Sequence, residues 1–386
     1  SVCVIVPAHN EEAVIGGLVD SLKSQDYAHV NFVLALDRCT DRTLEIARAA
    51  AGGDERFEFV EIDHCPADWA GKVHAAYSGF MRSSRAQNAE RLIFADADTI
   101  FAPGCVRATL ALRDEEDLHM LSLLSTLRSE KWFEHVAQPP AAMELLHQFP
   151  IRRANRVEKK RPFANGQFML FTAEAYRKMG THELVKGELL EDLMMAHVAE
   201  CYKLRSGVYL ADGMLLCRMY PTWAAFRRGW KRIFTEASHR KPARLRKFAW
   251  RTRMLGAVLP TLTLLGVPVV VWIAARDPRD AAVLGTATLV GLVGWMVGLL
   301  RIARLGHAAR WSVPSQIVGS WLVGGILGEA AKDLERGNAI EWGGRKYVRE
   351  ERAEEPSSIV AAAPSALIAG SKQHGEDGAE GPGVSR

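Results

Sequence analysis

Apolar residues fall in short runs over the first half of the chain and in long ones near its end. Val2 to Val6 is the first run, closed by Pro7, and Phe32 to Leu36, Phe57 to Ile62 and Leu92 to Phe94 follow. Each has the length of a buried strand. Between the first two, Ile15, Leu18, Val19 and Leu22 recur at i, i+3, i+4 and i+7, the spacing of one helix face. Asn10 is placed to cap that helix, with Glu11 and Glu12 in its first turn, where negative charge is favoured. Asp41 is placed to cap a second helix carrying Leu44, Ile46 and Ala47, and Gly71 to Ser83 reads as a third. Strand alternating with helix predicts an α/β domain with a doubly wound, mostly parallel sheet.

Further on, Leu118 to Ser125 reads as a strand and 130–149 as helical, its apolar residues mostly core, with the wall of an apolar cleft as the alternative for some of them. Strands are expected near Lys203–Leu210 and Met214–Met219. Leu255 to Ala275 and Ala281 to Leu300 then lack charge and are long enough to cross a bilayer. Val313 to Gly328 is a third, weaker segment, diluted by Ser312, Ser315, Gln316 and Ser320. Arg and Lys before the first span, and Arg301, Arg304 and Arg310 after the second, put the preceding domain on the cytoplasmic side. The last stretch, from about Glu350, has the composition of a disordered tail. The chain begins without methionine inside a core-strand pattern, so a native N-terminal segment is expected to precede it.

Composition narrows the choices. The 386 residues suffice for one large or two ordinary domains, and the six cysteines contain no C-x-x-C pair, which argues for reduced thiols over zinc or disulfides. The net charge of +4 hides a dense basic stretch, Arg227 to Arg253, relieved by Glu236 alone. No nucleic-acid module accompanies it and an apolar segment follows, so it reads as a juxtamembrane element on anionic lipid. No glycine-rich dinucleotide or P-loop motif occurs, which sets aside dehydrogenases and P-loop NTPases.

Acidic and basic residues cluster instead at strand ends. Asp96 and Asp98 follow the Leu92–Phe94 run, and they share a face if the extended conformation persists. Carboxylates at the carboxyl end of a strand sit where α/β sheets bind ligands, and paired hard oxygens suit Mg²⁺ or Mn²⁺ shared with phosphate. With Asn10-Glu11, Asp37 and Lys72 at neighbouring ends, the set suits a nucleoside diphosphate.

Pro7-Ala8-His9-Asn10-Glu11-Glu12, Asp37-Arg38-Cys39-Thr40-Asp41-Arg42-Thr43, Gly71-Lys72 and Ala95-Asp96-Ala97-Asp98 together resemble the ordered motifs of family 2 glycosyltransferases with the GT-A fold. The resemblance runs from residue 2 to roughly 235. It implies that Glu11 and Asp37 hold the nucleoside, Lys72 the base or phosphate region, and Asp96 and Asp98 the metal and diphosphate. The family usually has two acids where this chain has Leu36-Asp37. Asn165-Gly166-Gln167 resembles the glycine-led strand beside the acceptor, and Trp230 also falls on the acceptor side. Glu191-Asp192 matches the family's Glu-Asp pair, with Asp192 as the base that deprotonates an acceptor hydroxyl. Processive members carry Q-x-x-R-W near Trp230, whereas here Gly229 precedes Trp230 and no glutamine leads, which favours transfer of a single sugar.

The expectation is thus a glycosyltransferase domain over 1–235, a basic segment over 236–254, membrane helices within 255–330 and a tail over 331–386, ending in a Trp342–Tyr347 motif like that of membrane-bound relatives. The branch it resembles is the hopanoid-associated, ceramide or carotenoid one, with inversion at the sugar carbon. Its implied partners are a UDP- or GDP-sugar, a divalent metal, a lipid acceptor and the membrane, with no nucleic acid. Two rivals are transfer to polyprenyl phosphate and a non-catalytic membrane scaffold that keeps the fold.

Overall fold

The computed structural model describes residues 1–156, 158, 160–305, 310–342 and 345–348; the expected disordered tail lies almost wholly outside them. In chain order the elements begin β1 (Val2–Ala8), α1 (Ile15–Lys23), β2 (Val30–Asp37), α2 (Thr43–Ala51), β3 (Phe57–Ile62), α3 (Gly71–Arg82), α4 (Ser84–Gln87), β4 (Arg91–Ala95) and β5 (Thr99–Phe101). Then come α5 (Cys105–Glu115), β6 (Met120–Leu124), β7 (Thr126–Leu127), α6 (Trp132–Val136), α7 (Gln138–Gln148), α8 (Ile151–Ala154), β8 (Phe168–Thr172), α9 (Ala173–Lys178) and α10 (Glu191–Cys201). The chain continues through β9 (Ser206–Leu210), β10 (Leu215–Cys217), α11 (Trp223–Ala237), α12 (Pro242–Arg253), α13 (Leu259–Ala274), α14 (Pro278–Leu305), α15 (Gln316–Glu335), β11 (Ile340–Trp342) and β12 (Arg345–Tyr347).

A seven-stranded sheet in the order β3-β2-β1-β4-β8-β6-β9 carries the domain. Within it β8 alone runs against its neighbours, β4 and β6. Side chains alternate across each strand. Cys3, Ile5, Leu92 and Phe94 pack into the core on one face, and Val2, Val4, Val6 and Ile93 into the core on the other. Both faces are covered, which is why these strands read as unbroken apolar runs. Parallel strands bring the ends of β1, β2 and β4 to one edge. Because β8 is reversed, its first residues reach that same edge. A small second sheet, β5-β10-β7, stands beside it.

Two local expectations change. Asn10 does not cap α1; it has φ 55° and its side chain accepts from Thr40 N–H at 2.8 Å, tying the first motif to the second. The extended run also stops before the acidic pair. Ala97 and Asp98 form a turn in which Thr99 N–H and Oγ1 both donate to the Asp96 carbonyl.

The helical part differs more. From Pro242 to Ala274 the chain is one 33-residue helix, α12 running through a π-helical turn (Met254–Val258) into α13. With Ala281–Arg301 of α14, this gives two helices long and apolar enough to cross a membrane among the described residues. The third expected span is not one of them. It lies in α15, whose Gly319, Ser320, Val323, Gly324, Leu327 and Ala331 are buried in a core shared with α6, α7, α11 and α12. A β-carbon on Gly319 would stand 1.8 Å from the Val136 carbonyl oxygen, so α15 docks on protein at backbone contact.

This docking also changes the reading of the basic stretch. Arg227 meets Glu329 at 2.6 Å, and Lys231 and Arg246 pair with Asp333 and Glu335 of the same helix. Arg251 meets Glu144 at 2.5 Å, and Arg240 meets Glu236 and Glu188. Much of the charge expected to lie on lipid is matched inside the protein.

Candidate active site

The site is built where the strand ends meet. Asp37 is the last residue of β2, and Arg38 grips both its oxygens, donating from Nε at 2.8 Å and from the guanidinium NH₂ at 2.5 Å. Gly71 opens α3 against this pair; a β-carbon there would lie 3.1 Å from Arg38 and 3.3 Å from Asp37. Lys72, the next residue, reaches across the edge. Its Nζ is 2.6 Å from both Asp96 Oδ1 and Glu191 Oε1.

Glu191 and Asp192 lie in the first turn of α10, as the sequence predicts. Asp192 Oδ2 accepts from Gly166 N–H and Oδ1 from Leu193 N–H, both at 2.7 Å. Gly166 and Gln167 directly precede β8, so the reversed strand delivers this amide to Asp192. A β-carbon on Gly166 would stand 3.0 Å from Lys72 Nζ and 3.2 Å from Asp192 Oδ2.

Two cavities meet here. One, of about 310 Å³, is polar and is lined by His9, Glu11, Asp37, Arg38, Lys72, Asp96 and Asp98, with Tyr220, Arg232 and Tyr347. The other, of about 480 Å³, is mostly apolar. Met143, Leu146, Phe149 and Phe163 line it, with Leu190, Trp230 and Ile233, and Glu191, Asp192 and Gly166 stand in its wall. Lys72, Asp96, Gln167, Met219 and Arg232 border both.

All ten sequence-predicted site residues therefore line one cavity or the other. Glu11, Asp37 and Asp98 lie on the polar side, Glu191, Asp192, Gly166 and Trp230 on the apolar side, and Lys72, Asp96 and Gln167 at the junction. The Trp230 indole N–H is buried there without a hydrogen-bond partner. Arg38, Tyr220, Arg232 and Tyr347 received no individual role from the sequence. Each sits inside or beside a quoted motif, but only the fold brings them to the cavity. Tyr220 also accounts for Gly229, because a β-carbon at that position would lie 2.2 Å from the Tyr220 hydroxyl.

Crowded carboxylates shift one another. Burial, then Asp96 and Asp41, pushes the Glu11 pKa up to about 7. Burial, then Asp96 and Glu11, pushes Asp98 up to about 8. On the other side, burial and the charge of Glu191 raise Asp192 to about 6. Burial alone would raise Glu191 too, but Lys72 outweighs it and holds that carboxyl below its ordinary value. Lys72 is shifted upward, since Asp96, Glu191 and Asp192 overcome the effect of its burial.

A divalent cation fits the polar side. Its carboxylates repel one another, and Asp98 Oδ1 is buried with no hydrogen-bond partner. Among the described residues no three His, Cys, Asp or Glu side chains converge on a common metal position. Asp96 and Asp98 would therefore hold a cation together with the phosphates of a bound nucleotide, the arrangement hard cations favour when substrate supplies oxygens.

Residues 3–180 match the family model described as Glycosyl transferase family 2. The 4,4'-diaponeurosporenoate glycosyltransferase of Staphylococcus aureus is 26% identical over 251 residues. That match covers 62% of this chain and spans 62% of the relative's length. Among solved structures, the Pyrobaculum calidifontis mannosyltransferase PcManGT, in complex with GDP-Man and Mn²⁺, is 16% identical. It aligns with a TM-score of 0.44 over 95% of this chain and 80% of that one. Glucosyl-3-phosphoglycerate synthase from Mycobacterium tuberculosis aligns at 0.40 with 16% identity, over 61% of this chain and 80% of that one. Over residues 3–180 the chain thus carries a glycosyl transferase family 2 domain, set in an α/β fold with a mostly parallel sheet.

Proposed function

We propose that the protein is a membrane-anchored, inverting glycosyltransferase that moves one sugar from a nucleotide donor to the hydroxyl of a lipid. One observation carries this reading: a polar cavity with a nucleotide-diphosphate residue set adjoins a larger apolar cavity, and Asp192 stands in the wall of the second. In this reading Glu11 and Asp37 hold the nucleoside of a UDP- or GDP-sugar, with Arg38 fixing the orientation of Asp37. A bound Mg²⁺ or Mn²⁺ would neutralise charge developing on the leaving diphosphate. Lys72 and Arg232 border both cavities and add positive charge beside it.

The acceptor hydroxyl is oriented by the apolar wall. Asp192 takes its proton, the oxygen bonds to the anomeric carbon, and the bond to the diphosphate oxygen breaks with its electron pair leaving on that oxygen. One direct displacement inverts the carbon. Asp192 suits the task, since a pKa near 6 leaves it ionised at neutral pH yet more basic than an ordinary aspartate.

Glu191 and Asp192 in the wall of the apolar cavity, with Asp96 at its border, favour a neutral acceptor head over a phosphate. The S. aureus relative is named for a carotenoid acid, a long apolar molecule with one polar end. The cavity here is likewise mostly apolar, with carboxylates in its wall. The two apolar helices, α13 and α14, would place its mouth near a bilayer, with the domain on the cytoplasmic side.

The test uses detergent-solubilised full-length protein, a panel of UDP- and GDP-sugars, Mg²⁺ or Mn²⁺ and a total lipid extract, with release of nucleoside diphosphate as readout. Release that needs both metal and lipid supports the reading. Release from no donor, or release indifferent to lipid, contradicts it.

A further inference from the structure

Asp98 sits on a turn whose far side is fixed by the small sheet. Thr99 of β5 pairs with Cys217 of β10 in the antiparallel ladder, and Arg218 N–H donates to the Asp98 carbonyl at 3.2 Å. This register sets the buried Cys217 thiol beside the Asp98 carboxylate.

On its other side the Cys217 sulfur accepts from Gln167 Nε2 at 3.0 Å. The orientation of that amide is determined by its own partners. Gln167 Oε1 accepts from Asn165 Nδ2 at 3.0 Å and from the Ser125 hydroxyl. With its oxygen used twice, Gln167 presents its nitrogen to the sulfur. A thiol whose sulfur accepts has its one proton left to donate. The carboxylate beside it is Asp98, whose Oδ1 is buried with no hydrogen-bond partner and so is open to that donor.

We propose that Cys217 is a positioning residue for the metal: Gln167 holds its sulfur, and its thiol holds the Asp98 carboxylate in the orientation that meets a divalent cation. The inference rests on the reading of Asp98 as a metal ligand. Hydrogen-bond partners behind a ligating carboxylate fix its orientation, and their loss typically weakens metal binding 10- to 100-fold. The chain Ser125/Asn165–Gln167–Cys217–Asp98 also starts at side chains lining the apolar cavity and ends at the polar one.

The test is Mn²⁺ binding by the intact protein with UDP and, separately, GDP, followed by electron paramagnetic resonance of free Mn²⁺. Cys217→Ala is expected to weaken binding about 10- to 100-fold. Cys217→Ser, which keeps a donor, should stay within about threefold of wild type on the same scale. The metal-activation curve for transfer should move to higher concentration in the alanine variant, with kcat at saturating metal retained. A purely structural cysteine would make alanine and serine equivalent, and that result overturns the proposal, as does wild-type binding by Cys217→Ala. Should Cys217→Ala fail to fold, Gln167→Met releases the sulfur from the other side and must weaken binding likewise. Asp98→Asn separates the two levels. If it binds Mn²⁺ as wild type does, the metal-ligand reading itself falls; if it loses Mn²⁺ while both Cys217 variants bind normally, only the present inference does.

Discussion

Gly166 and Asp192 meet at 2.7 Å, backbone N–H to carboxylate, with no room between them for a β-carbon. The atoms such a carbon would press on are the ends of the Asp192, Glu191 and Lys72 side chains, which can yield. Gly166→Ala should therefore fold, with thermal unfolding close to wild type, while displacing the base from its acceptor. Misplacing a catalytic group by about 1 Å costs about 10²-fold, so this smaller shift should lower kcat by up to that amount. Unchanged kcat would detach this amide from the reaction.

The proposed reaction, with Asp192 as its base, predicts a pH profile. Asp192, raised to about 6, is protonated below that value and cannot accept a proton. With saturating metal, kcat should rise with pH through about 6 and level off above it. At pH 5 about a tenth of the plateau should remain. Asp192→Asn should remove about 10²–10⁴ of the rate and the pH-6 limb with it. An acceptor that is already an anion needs no base, so substantial turnover by Asp192→Asn would point to polyprenyl phosphate instead.

Lys72 joins the two halves of the site. Glu191 is only 4% exposed and Lys72 22%, so removing the cation leaves a buried carboxylate without its partner. Lys72→Met should cost about 3 kcal/mol of stability, as breaking one side of a buried ion pair does. The double variant Lys72→Met/Glu191→Gln should recover most of it, measured by thermal unfolding in one detergent. Additive losses in the two single variants would show that the pair is not coupled.

Much of this was legible in the sequence because the signals were local. Runs such as Val2–Val6 and Leu92–Phe94 are buried on both sheet faces, and the residues that follow them are the site. The start of α10 at Glu191-Asp192 and that of α3 at Gly71-Lys72 were legible for the same reason. What could not be read depends on distant partners. Reversal of β8 has no local mark, and the turn at Ala97-Asp98 is held by Thr99 and by pairing with β10. The basic residues of α11 and α12 looked unbalanced because many of their acids lie about a hundred positions away, later for Arg227, Lys231 and Arg246 and earlier for Arg251; Arg227 and Glu329 are 102 apart. In α15, Ser320 looked like dilution of a membrane span, yet with Gly319 and Gly324 it is among the points of closest packing.

That last contrast can be tested. Gly319→Ala sets a methyl group against the Val136 carbonyl, so α15 must shift away from α6. Overpacking of this kind costs about 1–3 kcal/mol or more, and the unfolding temperature should fall by several degrees. A helix surrounded by lipid would be indifferent to the change.

The central claim is that sugar passes from the polar cavity to a lipid in the apolar one. Its most direct measurement is recovery of label in the organic phase after proteoliposomes are incubated with radiolabelled nucleotide sugars, divalent metal and total lipid extract. The account predicts a labelled lipid that disappears on chelation and in Asp192→Asn. No labelled lipid with any donor or metal, or a labelled lipid formed equally well by Asp192→Asn under chelation, would contradict it.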